Sequence, residues 1–207
     1  MMNQPKRTLE FFCLPFMGSL CTLAACLMGS TVAQGQTSTP TASKAATCPA
    51  LLQVTFKRLQ DEAPQNLCQY AGKVVLVVNT ASYCGFTNQY QGLEALHAKF
   101  NAKGLVVLGF PSNDFGSQEP GDSKQIADFC FNTYGVKFPM FSKSTFKGKE
   151  ANPLFADLGK ATGKSPAWNF HKYLINRSGV RVTSYASEVD PGSPAMNADI
   201  QKALAEK

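Results

Sequence analysis

The sequence predicts an α/β domain in which a central mixed sheet is flanked by helices and preceded by a β-hairpin. Three observations carry this. Val74 to Asn79 and Leu105 to Phe110 are unbroken apolar runs, the pattern of strands buried on both faces. Between them, Thr87 to Ala102 has apolar residues at helical spacing and ends at Gly104, which makes a βαβ unit with a parallel strand pair. Further on, two strand-like stretches flank the turn Asn176-Arg177-Ser178-Gly179, which adds an antiparallel pair.

The elements follow in order. Lys6 and Arg7 precede an uncharged, apolar or small stretch from Phe11 to Gly29, so residues 1–33 read as an export signal. Two cleavage readings stay open: Leu23-Ala24-Ala25-Cys26 resembles a bacterial lipobox that would lipidate Cys26, and Thr31-Val32-Ala33 suits ordinary signal peptidase. An uncleaved anchor is a third reading. Residues 34–47 have almost nothing to bury and read as a flexible linker, so the folded domain spans 48–207. Val54 to Leu59 and Leu67 to Tyr70 are expected as the hairpin strands, around the turn-rich Asp61 to Asn66. After the βαβ unit comes a Pro-, Gly-, Asn- and Asp-rich loop from Pro111 to Gly121. Asp122 or Ser123 caps a helix that carries Ile126, Phe129 and Cys130 and stops at Gly135. A helix around Asn152 to Ala161, strands at Trp168 to Ile175 and Val180 to Tyr185, and a helix opened by Ser193-Pro194 complete the chain.

The 207 residues carry a formal charge of +6 with scattered basic residues, which argues against a nucleic-acid partner. There is no CxxC or HxxxH, and the two histidines are far apart in sequence, so no metal or other cofactor is expected. Of the seven cysteines, Cys13 and Cys21 leave with the signal and Cys26 is lipidated or lost. Cys48, Cys68, Cys84 and Cys130 remain in an oxidising compartment, where four thiols allow three pairings. Cys84 ends a buried strand and lies just ahead of a helix N-terminus, whose partial positive charge favours a thiolate, so it is the candidate nucleophile rather than a buried structural cysteine. If Cys84 must stay reactive, Cys48 with Cys68 is the natural bridge, closing a loop worth roughly 3 kcal/mol.

A βαβ unit followed by a hairpin and a last helix is thioredoxin-like order. The tetrapeptide Cys84-Gly85-Phe86-Thr87, however, has threonine where a CxxC would place its second thiol, so a lone nucleophile acting on another substrate is favoured over local dithiol exchange.

Gly72 to Thr87, Gly104 to Gly121, Phe129-Cys130, Tyr134 to Pro139 and Trp168-Asn169-Phe170, taken in order, resemble the glutathione peroxidase family over most of residues 50–190. The resemblance implies a peroxidase acting on hydrogen peroxide and organic hydroperoxides. Cys84 stands at the peroxidatic position, and Gln118, Trp168 and Asn169 match the other active-site positions. Each helper has a plainer reading: Trp168 as core, Asn169 as a hairpin residue, Gln118 as a solvated loop residue. Cys130 matches the segment that holds the resolving cysteine in thioredoxin-using relatives, against the plainer reading of a small buried helix residue. It would form a disulfide with oxidised Cys84 after local unwinding of its helix.

Departures are also present. Ser112-Asn113-Asp114 stands where many relatives have Cys-Asn-Gln, and the segment between Phe146 and Trp168 is too short for the subunit-contact insertion of tetrameric relatives, which implies a monomer. Basic residues that anchor glutathione in vertebrate relatives are not recognisable, so a thioredoxin-like protein is the expected reductant, with glutathione the other. Periplasmic location, and membrane contact only through a lipid on Cys26, complete the expectation. A peroxide-sensing relay that passes the disulfide to a client protein is the alternative function.

Overall fold

A computed structural model describes residues 47–206 of the chain. The expected signal, both cleavage readings with Cys26, and all but the last residue of the expected linker lie outside the described residues. Among the described residues, no helix is long and apolar enough to cross a membrane.

The domain opens with a short hairpin, β1 (Thr55–Lys57) and β2 (Pro64–Asn66), antiparallel with Phe56 opposite Gln65. The main sheet contains β3 (Val74–Thr80), β4 (Leu105–Pro111), β5 (Lys172–Ile175) and β6 (Val182–Tyr185), in the order β4-β3-β5-β6. β3 and β4 run parallel, and β5 and β6 are antiparallel to their neighbours. Helix α1 (Gln89–Phe100) makes the crossover from β3 to β4. Helices α2 (Ser123–Tyr134) and α3 (Pro153–Thr162) precede β5, and α4 (Pro194–Ala205) ends the fold. This is the thioredoxin-like α/β architecture.

Alternation along the strands divides the core in two. Val74, Leu76, Val78, Leu105, Val107 and Leu174 face a cluster that contains Cys84, Cys130 and residues of α1, α2 and α4. Val75, Val77, Val106, Leu108, Tyr173 and Ile175 face the other cluster, built on Leu52, Leu67, Tyr70 and α3. Cys48 packs against this second cluster and is disulfide-bonded to Cys68, with Cα atoms 5.2 Å apart.

Three expectations are corrected. Leu67 to Tyr70 is a 3₁₀ turn, not a strand: the Asn66 side chain accepts the Cys68 N–H at 2.9 Å and caps it, while Leu67 and Tyr70, three apart, both turn inward. The hairpin partner is instead Pro64–Asn66, where an edge strand tolerates proline. Helix α1 starts at Gln89, not Thr87, because the Cys84 N–H donates to the Thr87 hydroxyl and the Thr87 N–H to the Cys84 carbonyl, closing a separate turn first. Finally, β5 starts at Lys172; Trp168 to His171 bend across the end of β3.

Candidate active site

The end of β3 fixes the site. Past Thr80 the chain turns through Ala81, Ser82 and Tyr83 to Cys84, and the Ser112 N–H donates to the Thr80 carbonyl at 3.0 Å, so the loop after β4 starts alongside this turn. The Tyr83 N–H then donates to the Gln118 carbonyl at 3.1 Å, joining the far end of that loop to the residue before the thiol. Cys84 is buried to 9 % exposure, between Tyr83, which is 69 % exposed, and the glycine that follows. The Phe86 N–H donates to its sulfur at 3.4 Å, so a backbone donor from the turn into α1 meets the sulfur directly.

Asn79 does the corresponding work on the other side, and sequence reasoning missed it. Its side-chain N–H donates to the Trp168 carbonyl at 3.1 Å, its side-chain oxygen accepts the His171 N–H at 2.9 Å, and its carbonyl accepts the Phe170 N–H at 2.7 Å. A fully buried amide at the end of an apolar strand was the available signal, since such a group must find partners.

The three expected helpers come together. The Asn169 side-chain N–H donates to Gln118 Oε1 at 3.0 Å and to the Phe115 carbonyl at 3.2 Å. With its oxygen so engaged, the Gln118 carboxamide keeps its own N–H groups for other acceptors. Trp168 is 39 % exposed and lies over Gly116, where a Cβ would come 3.0 Å from the indole; glycine is required there by close approach and by a φ of +70°. Backbone strain marks the same positions: Ser117, just before Gln118, has φ +53°, and Phe170, just after Asn169, has φ +62°. Left-handed residues with a side chain cost on the order of 1–3 kcal/mol and persist where surrounding bonds impose them, as those from Asn79 do at Phe170.

Cys130 stands apart from this group. It is a free thiol in the C-terminal half of α2, 2 % exposed, and burial pushes it up to about 11. It also lines a cavity of about 470 Å³ with Leu59, Val136, Met140 and the exposed Phe131. A second cavity, of about 480 Å³, opens between Ser82-Tyr83 and α2 and has Glu119 in its wall. The sequence places Glu119 in the loop after β4 and gives it no role. In the structure it is 1 % exposed, and the Ser82 hydroxyl donates to its Oε2 at 3.1 Å.

The arrangement is a buried thiol beside the exposed Tyr83, a backbone donor on its sulfur and an amide–indole group held at the same sheet edge. Comparison with known proteins decides the family. The glutathione peroxidase family matches residues 51–159. A hydroperoxy fatty acid reductase of Synechocystis is 47 % identical over 154 residues, covering 70 % of this chain and 90 % of its own.

The chain belongs to the glutathione peroxidase family.

A glutathione peroxidase-like peroxiredoxin of Schizosaccharomyces pombe is 46 % identical over 64 % of this chain and 86 % of its own. A crystal structure described as Trgpx in apo form superposes with a TM-score of 0.61 at 34 % identity, covering 77 % of this chain and 98 % of that one. As a glutathione peroxidase family member the protein is an oxidoreductase that reduces peroxide with electrons from thiols. The fold and family expected from the sequence both hold.

Proposed function

We propose that Cys84 is the peroxidatic residue and that Gln118, Trp168 and Asn169 serve its reaction. The observation that carries this reading is the bonded pair Asn169–Gln118, tied through the Gln118 carbonyl to the residue preceding Cys84. The Cys84 thiolate attacks one peroxide oxygen; the S–O bond forms, the O–O bond breaks, and the departing oxygen takes a proton to leave as water or an alcohol. The side-chain N–H groups of Gln118 and Trp168 supply donors for the charge that develops on that oxygen, while Asn169 aims Gln118.

Cys130 then closes onto the Cys84 sulfenic acid, and a dithiol reductant reopens the disulfide. Both thiols lie on one side of the sheet, which supports this second step. Burial of Cys130 at rest implies that α2 loosens as the sulfurs meet. Exposed Tyr83 and Phe131, neighbours of the two sulfur positions, suit a protein donor of thioredoxin type better than the small charged glutathione. Organic hydroperoxides, including the fatty-acid class named for the Synechocystis relative, join hydrogen peroxide as substrates. The signal and lipobox pattern further support export to the periplasm, with lipid on Cys26 as membrane anchor, and the short stretch between Phe146 and Trp168 supports a monomer.

The test is turnover of hydrogen peroxide and a fatty-acid hydroperoxide, with thioredoxin and glutathione systems side by side. Rapid turnover with thioredoxin and little with glutathione is expected. Slow turnover with mixed disulfides trapped on one client protein would instead mark a relay.

A further inference from the structure

Lys172, the first residue of β5, is a fully buried cation directly opposite Val78 of β3, the strand that leads to Cys84. Its ammonium donates to two backbone carbonyls, that of Val189 at 2.7 Å and that of Ser187 at 3.3 Å. Both carbonyls belong to the segment that joins β6 to α4. Burying an ammonium against carbonyls is costly, and burial lowers Lys172 from 10.5 to about 7. An apolar side chain of similar length would fill the same space without that cost, so the charge needs a reason.

The Ser187 carbonyl has a second donor. Gln89, the first residue of α1 and 5 % exposed, donates to it from its side chain at 2.8 Å. A Cβ on Gly92, further along the same helix, would come 3.2 Å from Pro191, so the segment also lies against the start of α1. From Gln89 two hydrogen bonds lead back to the thiol. The Gln89 N–H donates to the Phe86 carbonyl at 2.9 Å, and the Phe86 N–H donates to the Cys84 sulfur at 3.4 Å.

We propose that Lys172 is a positioning residue for the peroxidatic step: its ammonium fixes the Ser187 carbonyl, that carbonyl fixes Gln89, and Gln89 holds the Phe86 N–H on the Cys84 sulfur. This rests on the peroxidatic role proposed for Cys84. A donor held on the sulfur favours the thiolate over the thiol, and the thiolate is the form that attacks peroxide. The bonds from Lys172 are charge-assisted only while it keeps its proton, so the clamp is strongest below about pH 7 and slackens above.

The groups around Lys172 leave that titration to Lys172 itself. Asp190 and Glu188, in the same segment, favour its charged form against burial. β3 presents the apolar Val78. Tyr185 of β6 lies opposite in register but donates its hydroxyl to Asp199 of α4 at 2.7 Å. His171, the preceding residue, is bonded to the Ser184 hydroxyl at 2.8 Å and lowered to about 4 by burial, so it is neutral on both sides of pH 7.

The experiment compares Lys172→Met, Gln89→Met and the double variant with their parent, all carrying Cys130→Ser so that sulfenate accumulates. Sulfenate formation on Cys84 is read with a dione trap after one equivalent of hydrogen peroxide, and thiolate reactivity by iodoacetamide, on both sides of pH 7. Below pH 7 each single variant should react on the order of tenfold more slowly than the parent, the scale of one hydrogen bond to a charged group. The ratio of parent to variant should shrink as pH rises through about 7, because the parent then loses the charge on Lys172. Lost packing alone would give a ratio that does not move with pH. The double variant should be no slower than Lys172→Met, since the two residues act in series. An unchanged rate in either single variant, or a ratio flat across pH 7, overturns the proposal. Gln89→Met decides should Lys172→Met fail to fold. If the parent forms no sulfenate on Cys84, the peroxidatic role fails instead, and the two failures are distinct.

Discussion

The two free thiols are held by parts of the molecule built to different standards. Cys84 follows β3, whose seven residues are all buried and which bonds to β4 on one side and β5 on the other. The helix after it, α1, buries Gln89, Tyr90, Leu93, Leu96, His97 and Phe100. Cys130 lies on α2, which buries only Ile126 and Cys130 itself. At roughly 1.5–3 kcal/mol per fully buried large apolar side chain, α2 is docked less firmly than α1, since its Phe129 and Tyr134 pack against the core only partly buried. Yet α2 is well made locally: Asp122 and Gln125 form a reciprocal capping box, and Gly135 closes the other end at φ +62°. A firmly set sulfur can be aimed at a small oxidant, whereas a loosely docked one can travel to it.

The contrast breaks first at the thiols. Cys84→Ser should abolish peroxide reduction with the fold intact; normal activity in that variant would remove Cys84 from the chemistry. Cys130→Ser should react once with peroxide and then stall as sulfenate or over-oxidise. Continued turnover with a thioredoxin-type donor would leave α2 no role. Gln118→Ala should slow sulfenate formation by about 10²-fold, the usual loss for one donor to a developing oxyanion, and leave disulfide closing untouched.

Much of this was legible in the residues. The unbroken apolar runs identified β3 and β4, and Gly104 and Gly135 marked two helix ends, because burial on both faces and left-handed backbone leave plain compositional traces. Segment 67–70 misled, since an apolar Leu and Tyr three apart fit a 3₁₀ turn as well as a strand end, and only the Asn66 cap decides. Cys84 stood out by its place between a buried strand and a helix start, and Gln118, Trp168 and Asn169 through family resemblance. Asn79 and Glu119 did not, because their importance is a matter of burial and partners that no local spacing encodes.

Smaller effects sharpen the comparison. Ile126→Ala should cost about 2–5 kcal/mol in the docking of α2 and speed disulfide closing several-fold without changing sulfenate formation. An unchanged closing rate would mean that release of α2 does not limit the step. pH offers a probe without mutation. Cys130, raised from 9.0 to about 11 by burial, favours the docked helix as long as the thiol stays protonated in both states. Above pH 9 the released form loses its proton while the docked form keeps it, so docking weakens up to about pH 11. Hydrogen-exchange protection of residues 126–131, taken relative to the intrinsic exchange rate at each pH, should fall over that window and not in Cys130→Ala, while β3 amides stay protected in both.

The Cys48–Cys68 bridge touches the core on one side of the sheet, and both free thiols belong to the core on the other. Thiol–disulfide exchange requires sulfur to approach sulfur in line, and the close-packed strands act as an insulating wall against that approach. A fixed crosslink and the cycling one proposed for Cys84 and Cys130 would thus share a single small domain without scrambling, much as two circuits share a board when a layer of dielectric separates them.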